Sequence, residues 1–177
     1  MLVRWADLAT PETELAALRE IFFQSSSRTV FASEREREAF LEKWTAYYID
    51  HCPADLWLWR EKGGEVSGYL TGCHDSAGAR QQFEAIASYG VFADKFSDFP
   101  AHFHVNCRNG HRNCGVGARL VDVFAGECLV AGLPGVHIVT APSARNVGFY
   151  HRQGFDCCEQ RSWNGVPLLF MGRRLTV

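Results

Sequence analysis

No stretch of this chain approaches the ~20 consecutive apolar residues that a membrane-spanning helix needs. No run of lysine and arginine is long enough to mark a nucleic-acid surface. A strong excess of either sign is missing too: 18 Lys and Arg stand against 20 Asp and Glu, a net charge of −2. Nucleic acid and membrane are therefore not expected as partners. The first residues, Met1-Leu2-Val3-Arg4-Trp5-Ala6-Asp7, lack the apolar core of a secretory leader, so a cytoplasmic location is expected. There are no internal repeats, low-complexity segments or interdomain linkers, and the 177 residues suit one domain spanning 1–177. Neither G-x-x-x-x-G-K-[ST] nor G-x-G-x-x-G occurs, which excludes two common nucleotide-binding loops. A disulfide framework is also unexpected. The seven cysteines, at 52, 73, 107, 114, 128, 157 and 158, are odd in number and scattered, and read as small buried hydrophobes or inert thiols.

What the chain does have is a loop that closes directly into an amphipathic helix. Arg112-Asn113-Cys114-Gly115-Val116-Gly117 is followed at once by Ala118-Arg119-Leu120-Val121. Such a junction leaves unpaired backbone N–H groups at the positive end of the helix dipole, where an anion can bind. Gly115 and Gly117 carry no Cβ, so the backbone can approach phosphate oxygens closely. Ala101-His102-Phe103-His104-Val105-Asn106-Cys107, just before, has strand character. Cys107 at the strand end and Cys114 in the loop lie beside this anion site, and Cys114 is expected to be oxidation-sensitive. Downstream come a second strand over 135–141 and a short helix, Ser143-Ala144-Arg145-Asn146-Val147-Gly148-Phe149-Tyr150-His151-Arg152-Gln153-Gly154-Phe155.

Together these features resemble the GNAT superfamily of acyl-CoA N-acyltransferases. In that family an R/Q-x-x-G-x-G/A loop grips the coenzyme A pyrophosphate, and a later "FY…GF" segment packs beside the pantetheine arm. The likeness covers roughly residues 100–160, and the N-terminal half fits the family's order of elements. The motif set is also similar to bacterial acetyltransferases related to the acetyltransferase-like domain of some O-GlcNAc hydrolases. The fold implied is α/β: a mixed, mostly antiparallel sheet with a central splay, flanked by helices.

The rest of the chain is read as follows. Residues 2–7 form a first strand. Thr10-Pro11-Glu12 opens a helix whose apolar face is Leu15, Leu18 and Phe22. Ser33-Glu34-Arg35-Glu36 is a capping box ahead of a second helix striped by Phe40, Trp44, Tyr47 and Tyr48. A strand over 55–60, a turn over 62–65 and a strand over 66–72 make a hairpin. Residues 76–87 read as helix and 89–100 as an aromatic-rich connection. Two final strands, 156–162 and 166–175, meet at Trp163-Asn164-Gly165, where Asn-Gly signals a tight hairpin.

The resemblance also assigns roles. The backbone of Val105, Asn106 and Cys107 meets pantetheine, and the N–H groups of Asn113, Cys114, Gly115, Val116, Gly117 and Ala118 take the pyrophosphate, with Arg112 nearby. Family loops often carry Gly where Asn113 stands and Pro where Asn109 stands; both departures concern loop shape. Tyr150 matches the family's tyrosine beside the departing sulfur and is the candidate general acid. Asn146 lies one helical turn before Tyr150 and is favoured over Ser143 as a coenzyme contact, since its amide both donates and accepts. His102 and His104, at i and i+2 on a strand, are the leading base candidates, with Glu84 and Asp75 behind them. A zinc site on His102, His104, Cys107 and Cys114 is disfavoured, because H-x-H-x2-C-x6-C is not a recurrent metal spacing. The expected co-substrates are acetyl-CoA and an amine acceptor, with no metal. The alternative is a catalytically silent module that binds acetyl-CoA. An acceptor pocket is expected to draw on Arg28, Phe31, Trp44, Phe92 and Phe96, and C-terminal edge strands leave a homodimer open.

Overall fold

The computed structural model describes residues 1–83, 86 and 88–176. Among these residues seven strands follow one another across the sheet in the order β1-β2-β3-β4-β5-β7-β6. They are β1 (Leu2–Arg4), β2 (Leu56–Arg60), β3 (Val66–Cys73), β4 (Ala101–Cys107), β5 (Gly135–Thr140), β6 (Cys157–Trp163) and β7 (Val166–Arg174). Among the described residues four α-helices accompany them: α1 (Leu15–Ser25), α2 (Glu34–His51), α3 (Val116–Val130) and α4 (Val147–Arg152). β1–β2, β2–β3, β5–β7 and β6–β7 pair antiparallel, whereas β4–β5 is parallel. That parallel register joins Ala101 to Val136 and His102 to His137. The architecture is thus an α/β fold with a mixed, mostly antiparallel sheet. Among the described residues no helix is long and apolar enough to cross a membrane.

The chain divides into two compact units, residues 1–72 with 104–122, and residues 73–103 with 123–177. In the first, the expected strand over 2–7 stops at Arg4. Residues 5–7 turn into a 3-10 segment that buries the Trp5 ring against Leu18, Ile21, Phe22, Leu56, Leu58 and Tyr69. The first helix starts later than expected, because Pro11–Glu14 forms a separate 3-10 turn. Thr10 caps it through its carbonyl, which accepts the N–H and hydroxyl of Thr13, and not through its side chain. The buried stripe is Leu18, Ile21 and Phe22, with Leu15 left exposed. At α2 the capping box is offset by one residue. Ser33 Oγ accepts from the Glu36 N–H at 3.2 Å, but the Glu36 carboxylate accepts from Ala32 N–H at 2.6 Å.

In the second unit, Gly78–Phe83 is a 3-10 turn and not the start of the helix expected over 76–87, of which Glu84, Ala85 and Ala87 lie outside the described residues. Asp75 Oδ1 accepts the Gly78 N–H at 2.9 Å, and Ser76 is tied by N–H and hydroxyl to the Pro100 carbonyl, so the chain turns locally instead of running on as a helix. The late helix is shorter than its motif, beginning at Val147, and it ends on a Schellman motif. Gly154 takes φ +78°, its N–H bonds to His151, and the Phe155 N–H reaches back to the Tyr150 carbonyl. The rings of Phe155 and Tyr150 then meet at 5.5 Å. The "GF" pair is therefore a helix stop with its hydrophobic clasp. Trp163 pairs with Val166 across Asn164 and Gly165, both at positive φ, as a two-residue hairpin requires.

Candidate active site

Accessibility along β4 changes partway. Ala101, His102 and Phe103 are buried, whereas His104 to Cys107 are half-buried. Beyond the strand, Arg108 anchors the chain. Its N–H donates to Ser67 O at 2.8 Å, and its guanidinium meets Glu20 at 2.7 Å and Glu65 at 3.1 Å. The loop then places Asn113 at φ 62° and Gly115 at φ 83°. Asparagine is one of the few residues with a side chain that visits this left-handed region readily, so it substitutes conformationally for glycine at 113. A Cβ built on Gly115 meets nothing within 4 Å. The first helical N–H bond of α3 runs from Arg119 to Gly115 O at 3.1 Å, leaving the N–H groups of residues 116–118 ahead of the helical ladder. Gly117 N–H is turned toward the Cys107 sulfur, whose thiol burial pushes up to about 11. A left-handed residue on either side of Cys114, open space at Gly115 and a helix start together suit a diphosphate.

Arg112 does something else as well. Its Nη2 donates to Gln24 O at 3.0 Å, close to Ser25 Oγ at 3.5 Å, and so caps the C-terminal end of α1. Ser25 in turn donates to Cys107 O at 3.5 Å. Asn106 turns its amide inward, donating to Tyr69 OH at 2.9 Å. The Tyr69 phenol is fully buried, which holds it well above the usual range. His104 stands edge-on to Trp44 and Tyr48, with ring centroids 5.6 and 5.7 Å away. Burial pushes it down to about 4, so the imidazole is uncharged at neutral pH.

In the second unit, His102 is held by a short polar chain. Ser76 Oγ lies 2.6 Å from Pro100 O and 2.7 Å from His102 Nδ1. A carbonyl has no proton to give, so the serine hydroxyl must donate to it. The contact with Nδ1 then needs its proton from the imidazole. His102 is thereby fixed with Nδ1 protonated, and Nε2 is its basic nitrogen. Tyr89 donates to Ser76 O at 3.1 Å and closes the group. Tyr150 is buried on α4, 6.2 Å from Phe103 and 5.1 Å from Phe149 by ring centroid. Asn146 sits at the N-cap position, one turn before Tyr150, whose N–H it accepts; its Oδ1 accepts from Thr140 Oγ1 at 3.2 Å. Ser143 is exposed.

The model of the acetyltransferase (GNAT) family matches residues 15–155. The chain belongs to the GNAT acetyltransferase family. It is similar in structure to SsHAT, with a TM-score of 0.74 at 17% identity, covering 98% of this chain and 97% of that one. It is also similar to a ribosomal-protein-alanine N-acetyltransferase from Brucella melitensis, with a TM-score of 0.57 at 18% identity and 99% of each chain covered. A third likeness is to a phosphinothricin acetyltransferase from Sinorhizobium meliloti in complex with AcCoA (TM-score 0.57, 15% identity, covering 99% of this chain and 88% of that one). No curated protein matches.

For a GNAT enzyme, the remaining candidates sort as follows. Asp75 is engaged as a turn cap, and Glu84 lies outside the described residues. Among the described residues no three of His, Cys, Asp and Glu gather in a way that could hold a metal ion. Cys114 is exposed, its sulfur 3.6 Å from Arg112 O. Sequence reasoning missed Ser76 and Tyr89 behind His102, and Tyr69 behind Asn106. The one available signal was alternation, since Tyr69 and Thr71 occupy same-side positions of β3.

Proposed function

We propose that this enzyme moves an acetyl group from acetyl-CoA to a primary amine of a small molecule or protein, by direct attack within a ternary complex. The observation that carries the reading is the loop at residues 112–118, with left-handed Asn113 and Gly115 and an open approach ahead of α3. There the backbone N–H groups of Asn113 to Val116 and of Ala118 take the pyrophosphate, Gly117 contributes its missing Cβ while its N–H faces the Cys107 sulfur, and the backbone of Val105, Asn106 and Cys107 meets the pantetheine amides. The similar Sinorhizobium meliloti acetyltransferase holding AcCoA supports that donor.

The amine nitrogen attacks the thioester carbonyl, an N–C bond forms, the C–S bond breaks, and the proton lost by nitrogen ends on the CoA sulfur. Tyr150 is the donor to sulfur on its match to the family's tyrosine. His102 and His104 are the histidines read as acceptors of the amine proton: the Ser76 chain leaves Nε2 as the basic atom of His102, whereas burial holds His104 near 4 and makes it the weaker acceptor. Asn146, at the start of α4, is a further coenzyme contact.

Calorimetry with acetyl-CoA, followed by thiol release against a panel of amines, tests the reading. Micromolar binding with thiol release supports it. Binding with no release across a broad panel instead points to a silent acetyl-CoA module, and no binding removes the donor assignment.

A further inference from the structure

Two side-chain polar atoms, one on α2 and one on β3, are buried with no hydrogen-bond partner among the described residues. They are the Trp44 indole N–H and the Thr71 hydroxyl. Thr71 is 1% exposed. Folded proteins seldom leave such groups unmet, because water satisfies them in the unfolded chain. One of the two residues touches His104 ring to ring, and strand register brings the other to the same histidine. The Trp44 ring lies 5.6 Å from that of His104. For Thr71, two contacts fix how β3 lies against β4: Arg108 N–H to Ser67 O at 2.8 Å, and the Asn106 amide to Tyr69 OH at 2.9 Å. Continued antiparallel along both strands, that register sets Thr71 opposite His104, where Cβ atoms stand about 4.5–5.5 Å apart.

The chemistry of these groups restricts what can satisfy them. An indole N–H only donates, so an occupant must bring an acceptor such as a carbonyl oxygen. Phe31, Phe40 and Trp44 continue as a ring-to-ring wall, with centroids 5.5 and 6.4 Å apart, which suits a flat apolar body. Positive charge is poorly served. The Arg28 guanidinium already covers Phe31 at 4.6 Å and Phe40 at 5.6 Å. The described hydrogen bonds and ion pairs of Trp44, Thr71, Tyr69 and Asn106 include no carboxylate. Burial also keeps His104 uncharged at neutral pH.

We propose that Trp44 Nε1 and Thr71 Oγ1 determine acceptor specificity, seating beside His104 a weakly basic aromatic amine that carries a carbonyl oxygen. The inference rests on the acetyl-transfer reading above and narrows its acceptor. An alkylamine arrives as an ammonium ion at neutral pH and must shed a proton in a place that disfavours cations. An arylamine arrives with its lone pair available. The transfer step is otherwise the same, with the nitrogen's proton finishing on the CoA sulfur.

Two matched probes test this with the full chain: 4-aminobenzamide and 4-(aminomethyl)benzamide, assayed by thiol release at neutral pH after acetyl-CoA binding is established by calorimetry. The expected result is a kcat/KM at least about tenfold higher for the arylamine. Thr71→Val should raise its KM about tenfold, while Thr71→Ser keeps it low. Because Thr71→Val removes an unmet buried hydroxyl, its melting temperature should hold or rise and its acetyl-CoA affinity should stay as in the parent. Trp44→Phe provides a second reading of the same KM should Thr71→Val fold poorly. Preference for the aminomethyl probe, an unmoved KM in both variants, or acetyl-CoA binding with release from neither probe overturns the acceptor class. Absent acetyl-CoA binding would instead sink the transferase reading on which it stands.

Discussion

Gly68 is where β3 comes closest to the start of α3, and Gly68→Ala measures how much that approach matters. A Cβ placed there would stand 2.8 Å from Val116 Cγ1, 3.2 Å from Asn106 O and 3.3 Å from Cys107 Sγ. Carbon–carbon contacts prefer about 3.5–4.0 Å, so something must move. Val116 is 4% exposed, opens α3, and as a β-branched helical residue has essentially one rotamer. It can yield only by shifting the first turn of the helix. Overpacking by a methyl group costs about 1–3 kcal/mol. The loss of unfolded-state freedom at a glycine returns about 0.4–1 kcal/mol. The net expectation is a loss of about 1–2 kcal/mol, or ~2–8 °C in melting temperature for a chain of this size.

The assay is a double-mutant cycle in urea. Val116→Ala alone should cost about 2 kcal/mol through lost burial and a partly collapsed cavity. In the double variant the new methyl at 68 occupies space that Val116 has vacated. The combined loss should therefore fall short of the sum by about 1 kcal/mol or more. Acetyl-CoA affinity should weaken in Gly68→Ala and recover in part in the double variant, because the displaced helix turn bears the proposed phosphate-binding N–H groups. Additive losses, or a Gly68→Ala protein as stable as the parent, would refute the reasoning.

Three further outcomes are expected. Gly115→Glu should abolish acetyl-CoA binding in calorimetry without unfolding the protein, since the side chain enters open space but brings bulk, charge and a disfavoured φ to the phosphate site; retained micromolar affinity would remove the loop from the donor site. Tyr150→Phe should lower kcat far more than acetyl-CoA affinity if the hydroxyl gives its proton to sulfur, whereas equal losses would mark the ring as packing alone. His104 sits near 4 in the folded chain against an ordinary value near 6.5, so the unfolded state binds more protons between those values. Its contribution is whole above that window and lost as pH falls through it, by up to about 3 kcal/mol. Urea unfolding at stepped pH should show a steeper acid loss in the parent than in His104→Gln, and matching slopes would contradict the burial argument.

Much of this was legible from local pattern. β4 spans 101–107 as expected because its apolar, β-branched and aromatic residues run between clear turn signals. The closing hairpin followed from Asn164-Gly165, and the helix stop from Gly154-Phe155. What escaped was settled by residues distant in sequence. Arg112 is read from its motif as lying near the pyrophosphate, and its added contact with α1 at Gln24 could not be read from local sequence. Ser76 shows no motif at all, but it fixes the His102 tautomer from 26 residues away. The offset capping box at Ser33 is of the same kind. Glu36 bonds Ala32 N–H and also pairs with Arg28, an arrangement that depends on how the loop between α1 and α2 returns.

The same strand supports both proposed halves of the reaction, and its two-residue period keeps them apart. Gly68 looks toward Val116 and the donor loop, while Tyr69 packs with Leu18, Ile21 and Phe22 and meets Asn106. Thr71, two residues beyond Tyr69, shares its side of β3. A change at 68 should therefore act on acetyl-CoA affinity, and a change at 71 on the acceptor KM. Were β3 merely a structural strand, both substitutions would move stability and leave the two ligands equally affected. Combining Gly68→Ala with Thr71→Val separates these cases. If donor and acceptor effects add independently, opposite faces of one strand serve different substrates; a shared loss in both constants would mean that the strand acts as a single support.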